Sequence, residues 1–354
     1  LPPQKTGIAN YSAELLPHLK RHVEIDLFVD PGLVVEDPDI RSGFAIHPWT
    51  ELLDRRDDYA TVVYHYGNSP FHAHMFGLEE QFPGVVVLHD FFLSDFMAWW
   101  RKSQGDGLSF LDDLDFSHGL KGVADCVLRG EAAACKTWPT NWGVLRDAVE
   151  LIVHSPHQNE LLKRYYGRGW KPNATVIPLL RRAKPDFSEQ ERRSARRSFG
   201  VKDDELLICS FGFVHQTKLN HPTIAAVARV REKLKNNLRL VFVGECGDAS
   251  YRRKLEIMSE EHGLKESMTI TGFAGKGSYE SYLMAADLAV QLRTSSRGES
   301  SRALLDCLAS GVPTVVNAHG SFDDCNEDIV TKLPDAIDAH MLADALLRTL
   351  NDEP

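Results

Sequence analysis

Leu292 to Gly320 reads LRTSSRGESSRALLDCLASGVPTVVNAHG, and the reading of this stretch decides the fold. It opens with a polar turn containing Gly298 and continues as an apolar-periodic helix (Ala303, Leu304, Leu305, Leu308). It stops at Gly311 and resumes as a short apolar strand, Pro313 to Val316. Gly just past the last helical turn and Pro two residues on are helix-stop signals. Ahead of the helix, Gly298 lets the backbone turn and Ser300 or Ser301 can cap. Such a helix start presents unpaired N–H groups and a positive dipole end, which can receive a diphosphate. Glu299 and Asp306 lie on either side of it and suit the hydroxyls of a sugar. A diphosphate and sugar hydroxyls in one place describe a nucleotide-sugar.

The rest of the chain sets the frame. With 354 residues, the length prior is two domains. Apolar content of 43% and charged content of 25% are those of a globular protein. No apolar run approaches the roughly 20 residues that span a bilayer. The six cysteines (126, 135, 209, 246, 307, 325) show neither CxxC nor metal spacing. Several lie in apolar runs, which favours buried free thiols and a cytoplasmic protein. A formal net charge of −10 argues against nucleic acid as a partner. One basic stretch, Lys163 to Arg197, reads as a solvated helix face with a linker, or as contact with an anionic lipid carrier at a membrane surface.

Apolar runs at Ile25–Val29, Thr61–Tyr64, Val85–Leu88 and Leu151–Val153 alternate with helical segments, as in a parallel sheet with crossover helices. Ligands of such sheets bind beyond the carboxyl ends of the strands. Three of these ends carry histidine: HYGNSPFH (65–72), HDFF (89–92) and HSPHQ (154–158). No carboxylate or cysteine joins them at metal-ligand spacing, so no metal is expected. Phe96 to Val149 is an insertion, aromatic at first, then acidic and helical, and reads as a lid or acceptor-binding hairpin, or as tryptophan packing. The domain boundary is expected between 182 and 183, with 178–186 as hinge. Leu206–Phe211, Leu240–Gly244, Met268–Phe273 and Leu288–Leu292 are the strands of a second α/β unit.

Asp306 with Cys307-Leu308-Ala309-Ser310-Gly311, the GNSPFH and LHD loops, and LR followed by RGESS resemble the retaining glycosyltransferases of family 4, and among them bacterial mannosyltransferases of polysaccharide assembly. The resemblance implies the GT-B fold: two Rossmann-like domains with parallel sheets facing across a cleft, an N-terminal acceptor-side domain (1–182) and a C-terminal donor-binding domain (183–354). It implies catalytic roles for His89, Lys218 and Glu299. Gly7, Gly212, Gly244, Thr271, Gly272, Phe273, Arg293, Gly298, Ser300, Ser301, Arg302 and Asp306 would line the donor with Lys218, and Asn68, His72 and Asp90 the acceptor side. Two departures stand out. Glu299 lies one residue closer to Asp306 than usual, and Phe213 occupies the position of an Arg that normally meets the diphosphate; Arg293, Arg297 or Arg302 could replace it. Family members begin with a strand and end with helices absent here, so the chain reads as a piece of a longer protein, with a multidomain protein as one reading.

The expected activity is transfer of mannose from GDP-mannose, without cofactor or metal, to a saccharide or lipid-linked saccharide, in polysaccharide or O-antigen assembly, with peripheral membrane contact at the inner face. The alternatives are a UDP-sugar-dependent enzyme of the same fold, a nucleotide-sugar epimerase, a sugar phosphorylase and a non-catalytic sugar-nucleotide-binding module.

Overall fold

The apolar runs form parallel strands, as expected of βα alternation, but the run at Ile25–Val29 lies in a sheet separate from the other three of the first half. The protein is seen in a computed structural model that describes residues 1–4, 6–105, 107–167, 174–181, 187–234 and 237–351. Two compact units emerge: unit 1 is Leu1–Leu180 with Arg297–Ser300, and unit 2 is Arg181–Ser296 with Ser301–Pro354. The boundary expected between 182 and 183, and the hinge residues 182–186, lie outside the described residues.

Unit 1 contains β1 (Asp26–Val29) and β2 (Ala45–Pro48), which pair with each other in parallel. A separate parallel sheet holds β3 (Val63–Tyr66), β4 (Val85–Leu88), β5 (Glu150–Val153) and β6 (Thr175–Val176), in that order. β2 and β6 escape a sequence reading because β2 mixes His47 and Pro48 with its two apolar residues and the two residues of β6 carry no period. Tyr64, Tyr66, Val86, Leu88, Leu151 and Val153 form the core of this sheet. The insertion is helical (Ser94–Gln104, Phe110–His118, Leu120–Arg129, Glu131–Thr137, Trp142–Asp147). Leu114 and Leu145 are fully buried, Trp100 and Trp138 pack on the same core, and the Trp138 indole donates to Asp125 Oδ2 at 2.8 Å. The insertion is thus part of the unit's core, and packing accounts for these two tryptophans.

Unit 2 is one six-stranded parallel sheet of β7 (Leu206–Phe211), β8 (Leu238–Val243), β9 (Met268–Ile270), β10 (Leu288–Gln291), β11 (Thr314–Asn317) and β12 (Thr331–Leu333). Its order is β12-β11-β10-β7-β8-β9, so the winding reverses between β7 and β10. The decisive stretch forms the helix Arg302–Ala309, Gly311 at φ +67°, then β11.

The basic stretch is more internal than its composition suggests. Arg196 is buried; it donates to Asp287 Oδ2 at 2.9 Å, to Ala285 O and Lys202 O at 3.0 Å, and to Glu205 O. Arg192 also pairs with Asp287, whose Oδ2 accepts from Leu207 N at 2.7 Å. These two arginines therefore belong to the sheet's foundation and not to a lipid-facing surface. Arg168, Lys171, Arg182 and Lys184 lie outside the described residues. Replacing one partner of a buried ion pair leaves the other uncompensated, at a cost of about 3–5 kcal/mol. Arg196→Ala should destabilise unit 2 by that order, read as a lowered urea midpoint, whereas Arg193→Ala, on the exposed Glu189 pair, should stay near the parent.

Candidate functional site

In unit 2 the reversal of winding marks where ligands enter an open parallel sheet. β7 and β10 share only two register positions, Ile208 with Leu288 and Cys209 with Ala289, and their following loops meet through Thr294 N donating to Thr217 O at 2.9 Å. Gln291 fills the widening gap: with its amide oriented to satisfy both partners, it donates to Phe211 O at 3.2 Å and accepts from Phe211 N at 2.8 Å. Lys218 closes the single helical turn Gln216–Lys218, and Leu219 follows at φ +53°. A leucine in the left-handed region costs energy and persists where the surroundings impose it, often at functional loops.

The glycines expected to line the donor come together at the carboxyl ends of β7, β8 and β9. Gly212 N donates to Val243 O at 3.1 Å, and Gly244 N to Thr271 Oγ1 at 3.0 Å, which in turn donates to Gly272 O at 2.8 Å. A Cβ on Gly244 would fall on Gly212 O, so this approach requires glycine. A Cβ on Gly212 would lie 3.9 Å from that of Ala303, which sets the β7 loop beside the start of the helix Arg302–Ala309. Ser301 is that helix's N-cap and accepts from Leu304 N at 3.3 Å. Phe213 and Phe273, after Gly212 and Gly272, are 72% and 77% exposed.

Two residues expected to line the donor are engaged by protein groups. Asp306 is buried and held by protein groups: it accepts from Arg181 and from Tyr279 O–H at 3.2 Å, and Arg302 Nε lies 3.8 Å away. Neither Arg181 nor Tyr279 was legible as its partner, because nothing in the spacing links positions so far apart. Arg293 is also buried, with its guanidinium 3.9 Å above the Phe322 ring, a cation–π contact. Asn317 brackets its backbone, accepting from Arg293 N at 2.9 Å and donating to Arg293 O at 2.8 Å.

Unit 1 gathers the three histidine-bearing loops. His65 Nδ1 and His89 Nε2 are 3.1 Å apart, His89 Nδ1 and His154 Nε2 3.1 Å, and His154 Nδ1 lies 2.8 Å from Ile177 O. Tyr11 packs against all three rings, at 5.9, 5.0 and 5.3 Å between centroids. Both ring nitrogens of His89 are therefore taken by other histidines. Burial holds His89 well below the usual range, lowers His154, and brings His65 down to about 4. Gln158 fixes the strand ends beneath them, donating to Leu88 O at 3.0 Å and accepting from His154 N at 2.7 Å.

Asn68 holds the neighbouring loops: its Oδ1 accepts from Phe96 N at 2.9 Å, its Nδ2 donates to Asp95 Oδ2 at 3.1 Å, and its N donates to Asp90 Oδ2 at 2.8 Å. His72 is buried, and burial depresses it to about 3. Gly7 opens the helix Gly7–Leu19 under a Thr6 cap, and a Cβ there would meet nothing within 4 Å. Arg297 to Ser300 belongs to this unit. Arg297 O accepts from Phe91 N at 2.9 Å and Phe92 N at 3.1 Å, and its side chain pairs with Asp95. Glu299 Oε2 accepts from Arg297 N at 2.6 Å. Of the expected donor residues, Gly298, Glu299 and Ser300 thus lie with the histidine loops, and Ser301, Arg302 and Asp306 with unit 2. Among the described residues no cluster of His, Cys, Asp or Glu could hold a metal, and the six cysteines are free thiols.

A family signature now meets this geometry. Residues 191–354 match the family model of the glycosyl transferases, group 1. The match lies in unit 2 apart from Arg297–Ser300. Alpha-monoglucosyldiacylglycerol synthase of Streptococcus pneumoniae is 26% identical over 215 residues, 60% of this chain and 47% of that protein. The lipopolysaccharide glucosyltransferase WaaG of Escherichia coli is 26% identical over 171 residues, 48% of this chain and 39% of that protein. The chain spans less than half the length of these curated relatives. A crystal structure of WaaG superimposes with a TM-score of 0.63 at 15% identity, covering 98% of this chain and 87% of that one. HepE of Anabaena, crystallised with UDP and glucose, gives 0.54 at 14% identity over 83% of this chain and 90% of that one. The fold is GT-B, as the sequence implied.

Two outcomes follow from the unit 1 geometry. Gly298 has φ +81°, and a Cβ there would lie 2.5 Å from Phe91 Cβ and 2.9 Å from Leu161 Cδ1. Gly298→Ala should dislodge Arg297–Ser300 and raise amide exchange at Phe91 and Phe92 at least tenfold, roughly the loss of one net hydrogen bond. Asp90 is raised to about 6, first by burial and then by Glu299, against the Asn68 N–H and Arg297. Its folded value lies above its unfolded value of 3.8, so its contribution to stability is full below that pH and lost as pH rises through 6. Asp90→Asn should therefore gain stability relative to the parent between pH 4 and pH 7.5 in urea titrations; a constant difference would contradict the assignment.

Proposed function

We propose that the protein is a retaining glycosyltransferase whose unit 2 binds a nucleoside-diphosphate sugar and whose unit 1 carries the acceptor-side groups. The observation that carries this reading is the reversal of winding between β7 and β10, with Lys218 on the loop after β7 and the start of the Ser301-capped helix Arg302–Ala309 beside that loop, inside the stretch that matches the family. Fixed positive charge at that point stabilises a departing diphosphate, and preorganised charge is the largest single source of rate in such chemistry. Lys218 and the helix start supply it, so transfer needs no divalent cation. In this reading the diphosphate also receives the acceptor proton on the face from which it leaves.

The exposed Phe213 and Phe273 offer flat surface to the base. Asp306 acts on the ribose through the groups it organises, Arg302 and Tyr279. GDP-mannose, the donor implied by resemblance, is not the donor that the relatives described above suggest: the pneumococcal synthase and WaaG are glucosyl enzymes by name, and HepE was crystallised with UDP and glucose. A UDP-linked glucose is accordingly the donor of this proposal, and GDP-mannose the outcome that would displace it. A lipid-linked acceptor fits the insertion, where Leu120 and Leu128 are 81% and 83% exposed beside Lys121 and Arg129 and suit peripheral contact with a membrane. No helix among the described residues is long and apolar enough to cross one.

Calorimetric titration with UDP, GDP and ADP in the presence of EDTA tests donor and metal independence together. UDP should bind tightest; tighter GDP restores mannose, and binding only after added divalent cation overturns the leaving-group account. Lys218→Ala should lower turnover by about 10²–10³, the cost of one preorganised contact. Unchanged turnover would place the diphosphate elsewhere. Conversion of donor without acceptor would indicate an epimerase, and a requirement for inorganic phosphate a phosphorylase.

A further inference from the structure

The histidine chain of unit 1 has a direction. Ile177 O can only accept, so the His154 nitrogen 2.8 Å from it, Nδ1, carries a hydrogen. Burial keeps that ring neutral, so His154 Nε2 is an acceptor, and the hydrogen of the next bond belongs to His89 Nδ1. The same step repeated leaves His89 Nε2 as acceptor and places a hydrogen on His65 Nδ1. The chain therefore ends at His65 Nε2, which carries a lone pair and no hydrogen.

Among the described residues this nitrogen has no hydrogen-bond partner, and half-buried His65 is the outermost ring of the chain. Beside it stands Tyr11, with ring centroids 5.9 Å apart. The Tyr11 hydroxyl has no protein partner among the described residues either, and burial raises it so that it stays protonated. An unengaged acceptor and an unengaged donor are thus carried on neighbouring neutral rings.

We infer that His65 Nε2 and the Tyr11 hydroxyl form a subsite for uncharged vicinal hydroxyls of a saccharide, with His89 and His154 as positioning residues that fix the tautomer of His65. The inference rests on the proposed transferase reading for its place on the acceptor side. It moves direct sugar contact from His89, whose nitrogens are both engaged, to His65. A phosphate or carboxylate does not suit the subsite, because a lone pair faces it and only one hydrogen is offered.

The test uses the whole chain with ring-¹⁵N-labelled histidine. At pH 7.5, His65, His89 and His154 should each show a protonated Nδ1 and a pyridine-type Nε2; that is the minority tautomer of free histidine, so three together are diagnostic. Methyl α-D-glucopyranoside should move the Nε2 resonance of His65, and sodium phosphate at equal ionic strength should not. Tyr11→Phe should weaken the glycoside response severalfold while leaving all three tautomers intact. A different tautomer at any of the three positions overturns the inference, as does a response to phosphate, or none to the glycoside. These readouts do not require turnover, so loss of the transferase reading in the donor assays would leave the subsite standing, and the reverse.

Discussion

The seam between β7 and β10 is the constraint on which unit 2 depends. At the amino ends it is closed by Asp287, which accepts from Leu207 N and from two arginines and whose own N–H donates to Leu207 O at 2.9 Å. Two register positions later the backbones part, and the Gln291 amide takes over the pairing with Phe211. A parallel sheet that reverses its winding cannot place crossover helices over both sides of that point, so the carboxyl end of the seam stays open. Charge holds one end of the seam shut and leaves the other available to a ligand. The six paired positions of β7 with β8 give the opening a rigid wall.

Buried polarity is handled in two ways. Ions are kept and paired: Arg196 with Asp287, and Arg181 and Arg302 with Asp306, in unit 2, and Arg101 with the buried Asp113 in unit 1. Other buried groups of unit 1 are held neutral: burial lowers His65, His89 and His154, and Glu79, beneath the Tyr66 hydroxyl at 2.9 Å, is raised to about 8 by burial. A neutral buried network carries far less desolvation penalty than an ionic one, provided each donor finds an acceptor.

The sequence was most readable where period and punctuation agree. Leu206–Phe211 and Val85–Leu88 form strands at the expected residues, and Gly311 adopts the left-handed conformation that a helix stop requires. The cap resolved to Ser301, because only its side chain reaches Leu304 N. The histidine loops were legible as a group, since strand ends converge in a parallel sheet, but not the order in which the rings bond. That order depends on Ile177, whose carbonyl is backbone and leaves no mark in composition. Asp306 was read as a ligand group from its spacing, whereas its partner Arg181 lies 125 positions away in sequence. Arg192 and Arg196 looked like surface charge because a basic run does not reveal that one carboxylate, Asp287, waits inside.

The placement of Arg297–Ser300 also bears on how the chain is made. Unit 1 is otherwise complete at Leu180, yet the strip that receives the Phe91 and Phe92 amides is synthesised only after the greater part of unit 2. At about 5–20 residues per second, the interval is on the order of ten seconds. Throughout it the nascent domain waits with Phe91 and Leu161, both buried in the finished protein, lacking the Gly298 backbone that comes to lie against them. A ribosome that pauses within unit 2 would lengthen the exposure, and a chaperone that recognises apolar surface would find it there.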